Sequence, residues 1–311
     1  MSSIFTHKNL IIRSWRDYEL LDSGDNRKLE RWGKFVLIRP ETQALWQPMH
    51  ADTWKRANAE FTFGEGGKGG WSGKNATKSW EMQWNEARFT ARLAPAFKHT
   101  GVFPEQAANW EWIAERVMHA KQARGAQPKV LNLFGYTGIA SIVAAQAGAQ
   151  VTHVDASKQS NEWAKENAQL SEIPEEAGGV DGVGGIRYLL DDALKFVERE
   201  VRRGVMYDGI ILDPPAFGRG AKGEVWHIEE GLSQLLGALA KILNEKPGSF
   251  FLLNGYAAGY SPQSFLQATQ CAFPGMEKLA QAEFGELQIG ESGVNPEGRV
   301  IPSGIYVRFV R

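Results

Sequence analysis

The chain has 311 residues, 43% hydrophobic and 23% charged, with 35 Lys and Arg against 36 Asp and Glu for a formal net charge of −1. Such proportions describe an ordinary globular protein with room for one sizeable core and a smaller domain, and they exclude a chain that binds nucleic acid by bulk charge. The single cysteine, Cys271, excludes disulfides within the chain and a cysteine-built zinc site, and no metal is expected. No apolar run approaches the roughly 20 residues of a membrane span. The opening MSSIFTHKNLIIRSWRD is not a signal peptide, so a cytoplasmic location without membrane contact is the expectation.

Residues 1 to 100 show little helical periodicity. Aromatic, β-branched and alternating patterns predict short strands at 18–21, 35–38, 78–84 and 87–93, the last two forming a hairpin across Asn85 and Glu86. Residues 64 to 73, GEGGKGGWSG, read as a Gly-rich surface loop. Its Lys68 and Trp71 offer a phosphate and a base contact should the loop reach a substrate. Charge is uneven along the chain: residues 1 to 104 hold 16 Lys and Arg against 11 Asp and Glu, and the remainder 19 against 25. That asymmetry fits a basic face for an anionic partner and an ordinary solvated surface equally well.

A linker, KHTGVFPEQ, with a Gly turn beside His99, leads into an amphipathic helix at 106–123. The stretch from Lys129 to Asp155, KVLNLFGYTGIASIVAAQAGAQVTHVD, is an apolar run, a glycine loop, a small-residue helix, a second apolar run and an acid. Together these predict a βαβ unit that holds a nucleoside. Two glycines let the backbone approach a ligand, and the helix that follows aims its free N–H groups at it. The acid can accept from both ribose hydroxyls. A dinucleotide needs G-x-G-x-x-G so that the helix receives a pyrophosphate. The loop here reads F-G-Y-T-G, without the third glycine, which suits a ligand lacking a pyrophosphate, S-adenosylmethionine foremost.

Beyond Asp155 the alternation continues. Ser157 caps a helix to about residue 170, a strand covers 186–190, and Asp191-Asp192-Ala193 opens a helix at 194–202. A strand at 207–212 ends in Asp213-Pro214-Pro215-Ala216-Phe217, followed by an exposed loop, GRGAKGEVW, with Arg219 and Lys222 as phosphate contacts or solvated charge. Then come a helix at 229–243, a strand at 249–254, a helix at 262–271 with Cys271 as a small buried residue, and strands near 283–289 and 304–310. The last two lack a helix between them, so one runs antiparallel.

Four of these segments, NLFGYTG, HVDAS, DDALKF and DPPAF, in this order, resemble the motifs of the class I S-adenosylmethionine-dependent methyltransferases. The closer resemblance is to the bacterial 23S ribosomal RNA methyltransferase group and its uncharacterised relatives. It extends to YELLDSGDNRKLERWG, HTGVFPEQAANW and GRGAKGEVW, and so covers nearly the whole chain. The resemblance implies an α/β, Rossmann-like fold: a mostly parallel seven-stranded sheet with one antiparallel strand (101–311), preceded by a smaller β-rich domain (1–100) for substrate recognition. It implies S-adenosylmethionine as cofactor and S-adenosylhomocysteine as product. Phe134, Gly135, Tyr136, Thr137 and Gly138 would line the methionine end. Asp155 would take the ribose, with Ala156 and Ser157 beside the adenine. Asp192 would accept from the adenine amino group, with Ala193 contributing backbone. Asp191 is the competitor for that role and reads better as the helix cap. Phe103 and Gln106 would fold over the cofactor from the N-terminal side.

Methyl transfer is an in-line displacement with the acceptor atom about 3 Å from the methyl carbon. In N-methyltransferases the [DN]-P-P-[YF] corner supplies a side-chain oxygen and a main-chain carbonyl to a planar amine, and an aromatic ring to stack on it. Asp213, Pro214, Pro215 and Phe217 correspond here, with Phe217 one place later than in that form. Cytosine-carbon chemistry needs a nucleophilic Cys, which related enzymes carry at the end of the fifth strand. This chain has Asn254 there. The expectation is therefore a methyltransferase acting on a base nitrogen of structured, ribosomal RNA. The alternatives are an enzyme for a small molecule or protein side chain, a non-catalytic nucleoside-binding module, and, against the missing third glycine, a nicotinamide oxidoreductase.

Overall fold

The computed structural model describes residues 5–64, 69–73, 78–95, 97–175, 183–220, 223–256, 259–276, 279, 281–292 and 298–311. The chain divides into two compact units, one of Met1–Leu10, Asn109–Glu286 and Gly304–Arg311, the other of Ile11–Ala108 and Leu287–Ser303. The larger unit thus takes in the first ten residues and the smaller one Leu287–Ser303, besides the N-terminal stretch. Counted over these units, the smaller has 16 basic residues against 14 acidic, and the charge excess of the N-terminal hundred largely disappears.

In the larger unit the alternation after residue 128 builds the expected parallel sheet. Lys129–Leu133, Gln150–Asp155, Ile186–Leu190, Gly209–Leu212 and Phe250–Gly255 pair in parallel, in the spatial order third, second, first, fourth, fifth. Val300–Val310 runs antiparallel to Phe250–Gly255, and Gln281–Gly290 follows it. Two short strands join beyond the seven expected: Phe5–His7, parallel to Gln281–Gly290, and Leu10–Ile12, which pairs with the same strand. Alternate residues of four strands, Leu131 and Leu133, Ile210 and Leu212, Phe251 and Leu253, Val307 and Phe309, share one buried core. Phe196, Val197, Leu235, Leu236, Leu239, Phe265 and Leu266, from the helices Ala193–Arg203, Ile228–Leu239 and Pro262–Ala272, complete it. Period two on the strands meets period 3.6 on the helices, and that match is why the layers form.

The helix Pro262–Ala272 buries Phe265, Leu266 and Thr269. Cys271, two residues after Thr269, falls outside that stripe and is exposed, contrary to the buried position expected of it. Among the described residues no helix is long and apolar enough to cross a membrane.

The smaller unit carries a six-stranded sheet, Ser14–Trp15, Tyr18–Gly24, Arg27–Trp32, Phe35–Pro40, Ala59–Phe63 and Gly69–Ser72, and the separate hairpin Ser79–Trp84 with Ala87–Arg92. Asp25 and Asn26, both at positive φ, make the two-residue turn that suits the right-handed twist of the flanking strands. The strand Arg27–Trp32 escapes a hydrophobicity pattern because Glu30 points inward. It is held by Arg39 (2.6 and 2.8 Å) and by the Tyr18 hydroxyl (2.8 Å). Part of the Gly-rich segment read as loop is the strand Gly69–Ser72, and its Lys68 lies outside the described residues.

Candidate active site

Parallel pairing puts the C-terminal ends of the first four strands on one edge of the sheet. The chain's order reverses at the first strand, which lies between the second and the fourth, so a crevice opens at that edge. Three of the sequence motifs converge here: the loop after Leu133, the acid at 155 and the corner at 213. A fourth, at 191–193, follows the third strand.

The loop is strained and pinned. Phe134 (φ +55°) and Tyr136 (φ +49°) take the left-handed backbone without being glycine, and Gly138 (φ +81°) precedes the helix Ile139–Gln146. Such conformations persist only where the surroundings over-determine them. The Tyr136 N–H donates to Asp155 Oδ2 (2.9 Å), Gly135 N–H to the Val154 carbonyl (3.2 Å), and Asn167 Nδ2 to the Thr137 carbonyl (2.9 Å). Gly138 has no room for a side chain, since a Cβ there would lie 2.9 Å from that of Ala164.

Gly135 rests on a residue that the sequence pattern did not single out. A Cβ on it would lie 2.4 Å from Cε1 and 2.5 Å from Nδ1 of His153. His153 is fully buried, and burial holds its pKa down at about 3, so the ring is neutral. Its Nδ1 meets Ser141 Oγ at 3.0 Å, and that oxygen accepts from Asn132 Nδ2 at 2.8 Å. The available signal was a His inside a β-strand pattern, two residues before the acid.

Asp155 accepts from the backbone of Tyr136 with one oxygen and of Ser157 with the other (2.8 Å), fastening the second strand to the loop. Burial lifts its pKa above the ordinary carboxylate value, against the pull of those two N–H groups. Ala156 follows it, and Ser157 Oγ caps the helix Lys158–Leu170 through Ser160 N–H. At the third strand the expected roles change. Asp192 is the helix cap, its Oδ1 accepting from Lys195 N–H at 2.9 Å, with Ala193 buried behind it. Asp191 forms an ion pair with Arg199 and accepts from Asp192 N–H at 2.9 Å. The cap thus falls on the second acid because the helix begins at Ala193, one residue before the expected start.

After Leu212 the chain turns through Asp213 and the buried Pro214 to the exposed Pro215. The segment expected as a loop is a β-ribbon, Phe217–Arg219 against Val225–His227. Trp226, buried on its inner side, donates Nε1–H to the Pro215 carbonyl (2.8 Å) and packs its ring 5.0 Å from that of Phe134. Trp226 was also missed. Its signal was the alternation F-G-R and V-W-H about a Gly-containing turn. Phe217 is half exposed, Arg219 is exposed, and Lys222 lies outside the described residues.

Asn254, at the end of the fifth strand, is buried and accepts from Asn109 Nδ2 (2.9 Å). Phe103 and Gln106 belong to the smaller unit, Gln106 buried in the single turn Pro104–Gln106 and Phe103 packed against His99 at 5.1 Å.

The family model described as S-adenosylmethionine-dependent methyltransferase matches residues 55–279. A solved SAM-dependent methyltransferase from Agrobacterium tumefaciens is similar over the whole chain, with TM-score 0.87 and 38% identity, covering 100% of this chain and 96% of that one. Ribosomal RNA large subunit methyltransferase K/L of Shewanella frigidimarina is 31% identical over 162 residues, 51% of this chain and 20% of that protein. Ribosomal RNA large subunit methyltransferase I of Aeromonas salmonicida is 30% identical over 189 residues, 58% and 42%. The chain thus spans well under half the length of these curated relatives.

Proposed function

The chain belongs to the S-adenosylmethionine-dependent methyltransferase family, and we propose that it methylates a base nitrogen of structured RNA, ribosomal RNA in the first place. The observation that carries the reading is the Asp213–Pro214–Pro215 corner held beside the Phe134–Gly138 loop by Trp226. The curated relatives named as ribosomal RNA methyltransferases support the choice of RNA.

The loop fits the cofactor. Its glycines let the loop pack closely on His153 and Ala164, and no third glycine makes space for a pyrophosphate. Each Asp155 oxygen has one backbone donor and retains a lone pair for a ribose hydroxyl. Phe134, Gly135, Tyr136, Thr137 and Gly138 would hold the methionine end. Ala156, Ser157, Asp191, Asp192 and Ala193 would surround the adenine. Asp192 spends one oxygen on the cap and offers the other.

Bound there, the cofactor supplies an electrophilic methyl group on a charged sulfur. The protein's own share is to position the acceptor and manage its proton. The Pro215 carbonyl already accepts from Trp226, and the Pro214 carbonyl is taken as the main-chain acceptor of the corner, beside the Asp213 carboxylate. Two acceptors fixed on a proline-stiffened turn can hold an amine in plane, and Asp213 can receive the proton it loses. Phe217 projects from the next strand toward solvent, where it can meet a base. The β-rich unit is assigned to substrate recognition.

Mass mapping of modified ribosomal RNA nucleosides from cells with and without the protein tests the acceptor. One methylated nucleoside should vanish in its absence. An unchanged map moves the assignment to a small molecule or protein side chain, the reading favoured by the near balance of charge in the smaller unit. Asp213→Ala should keep cofactor affinity within about twofold while methyl transfer falls by at least about a hundredfold, in the range of general acid–base contributions. Equal activity of that variant would remove the corner from the mechanism.

A further inference from the structure

The ribbon Phe217–Arg219 with Val225–His227 has two unlike faces. Phe217 pairs with His227 and Arg219 with Val225, and the two-residue period of a strand puts these four side chains on one face, Gly218 and Trp226 on the other. The Trp226 face is fastened to the protein. The opposite face is exposed at all four positions, with Phe217 at 49% and Val225 at 54%. On it the Phe217 and His227 rings lie 5.0 Å apart, and the Arg219 guanidinium sits 5.8 Å from the Phe217 ring centre.

The acids beside this face are engaged elsewhere: Glu224 turns to Lys195 (2.9 Å), Glu229, close to His227, accepts from the Tyr260 hydroxyl (2.6 Å), and among the described residues no carboxylate pairs with Arg219. Two exposed rings and a cation, with no acid between them, have the chemistry of a stacking platform for a base whose phosphate needs a partner.

We propose that this outer face is a ledge that stacks an unpaired nucleotide of the RNA acceptor strand, Phe217 and His227 taking a base and Arg219 its phosphate. The ledge rests on the RNA reading above and gives it a recognition element. It begins two residues after Pro215, so a strand lying on it leads directly into the corner where the acceptor nitrogen is held. An unpaired strand fits better than a duplex, because bases inside a helix do not offer their faces for stacking. Neutral protein surfaces would leave Arg219 without a counter-charge.

The test uses the full chain, saturated with S-adenosylhomocysteine, and fluorescein-labelled twelve-residue oligoadenylate as probe, read by anisotropy over a salt series. His227→Ala should weaken binding about tenfold, the scale of one base–aromatic contact, with its salt slope unchanged. Arg219→Gln should also weaken it and lower the slope of log affinity against log salt by about 0.7, one phosphate on a single strand. Both variants should bind S-adenosylhomocysteine like the parent, which separates a lost ledge from a lost fold. Parent and variants binding the probe equally would overturn the ledge and leave the RNA reading standing. A parent that binds neither the oligonucleotide nor ribosomal RNA would overturn both. Polyglutamate displacing the probe, with Arg219→Gln alone showing a defect, would assign the face to an acidic protein and overturn the ledge.

Discussion

Gly135→Ala is the sharpest test of how the cofactor loop is held. The new Cβ would sit 2.4 Å from His153 Cε1, so loop or ring must retreat by about 1 Å to reach the 3.4 Å of ordinary contact. The ring cannot retreat freely: it is fully buried, and its Nδ1 is tied to Ser141. Nor can the loop, anchored by Gly135 and Tyr136 N–H groups and already strained at Phe134 and Tyr136. Overpacking of this kind costs about 1–3 kcal/mol. If the loop absorbs the shift, cofactor affinity falls about tenfold for each 1.4 kcal/mol of lost contact. Thermal unfolding and calorimetric titration with S-adenosylhomocysteine separate the two costs. Combining Gly135→Ala with His153→Ala frees the space, so the double variant should be less damaged than the sum of the single ones, by about 1 kcal/mol or more. A Gly135→Ala protein as stable and as tight-binding as the parent, or strictly additive effects in the pair, would refute the steric account.

Four further outcomes follow from three side chains. Asp155→Asn should weaken cofactor binding at least about tenfold, because an amide cannot accept on both sides from two N–H groups and two hydroxyls. In the parent, whose Asp155 pKa burial has raised, calorimetry should show affinity falling on acidification sooner than an ordinary carboxylate would allow. Glu105 is buried, and desolvation pushes its pKa from 4.5 up to about 7 although Lys28 and Arg39 oppose it. A folded value above the unfolded one adds stability below pH 4.5 that disappears as pH rises through about 7. Melting curves should therefore show Glu105→Gln gaining on the parent as pH rises from 5 to 8, by up to roughly 3 kcal/mol, and a constant difference would contradict it. In the smaller unit Arg299 donates to Asp22 (2.5 Å), Glu291 (2.9 Å) and the Gln47 carbonyl (2.7 Å). Arg299→Met removes a charged donor from the buried Asp22, which keeps its bonds from Ser23, Met49, His50 and Trp54, and should cost about 1.5–3 kcal/mol in denaturant unfolding; a loss below about 1 kcal/mol would show the pair to be dispensable.

What the sequence disclosed depended on whether one residue's neighbours in space were also its neighbours in the chain. The βαβ unit, the acid at 155 and the corner at 213 were readable because glycines, small residues and apolar runs report backbone needs locally. The strand Arg27–Trp32 was not readable, since its inward Glu30 is balanced by Arg39 from the next strand and Tyr18 from the one before. Local rules also misplaced the cap between Asp191 and Asp192, where a shift of one residue in the helix start decides the matter. Cys271 went wrong for a related reason: its burial is set by which stripe of the helix faces the sheet. His153 and Trp226 act on residues 18 and 11 positions away, Gly135 and Pro215, and neither helical nor strand periodicity links residues at such separations.

Those two residues also tie together the loop and the corner proposed to hold donor and acceptor. An in-line displacement tolerates little error, and a misplacement of about 1 Å can cost a hundredfold in rate. In this protein the Phe134–Gly138 loop is held by His153 against Gly135, by Asp155 at the Tyr136 N–H, and by Trp226 against Phe134. Trp226 also grips the corner, through the Pro215 carbonyl. Its ring faces Phe134 while its N–H faces the turn, so one side chain of the ribbon touches both the loop and the corner. On the proposed reading, an acceptor strand lying on the outer face of that ribbon would press on the element that bridges the loop and the corner. Binding energy gained on the ledge, away from the reacting atoms, can in this way be spent on alignment in the transition state, raising turnover and not only affinity.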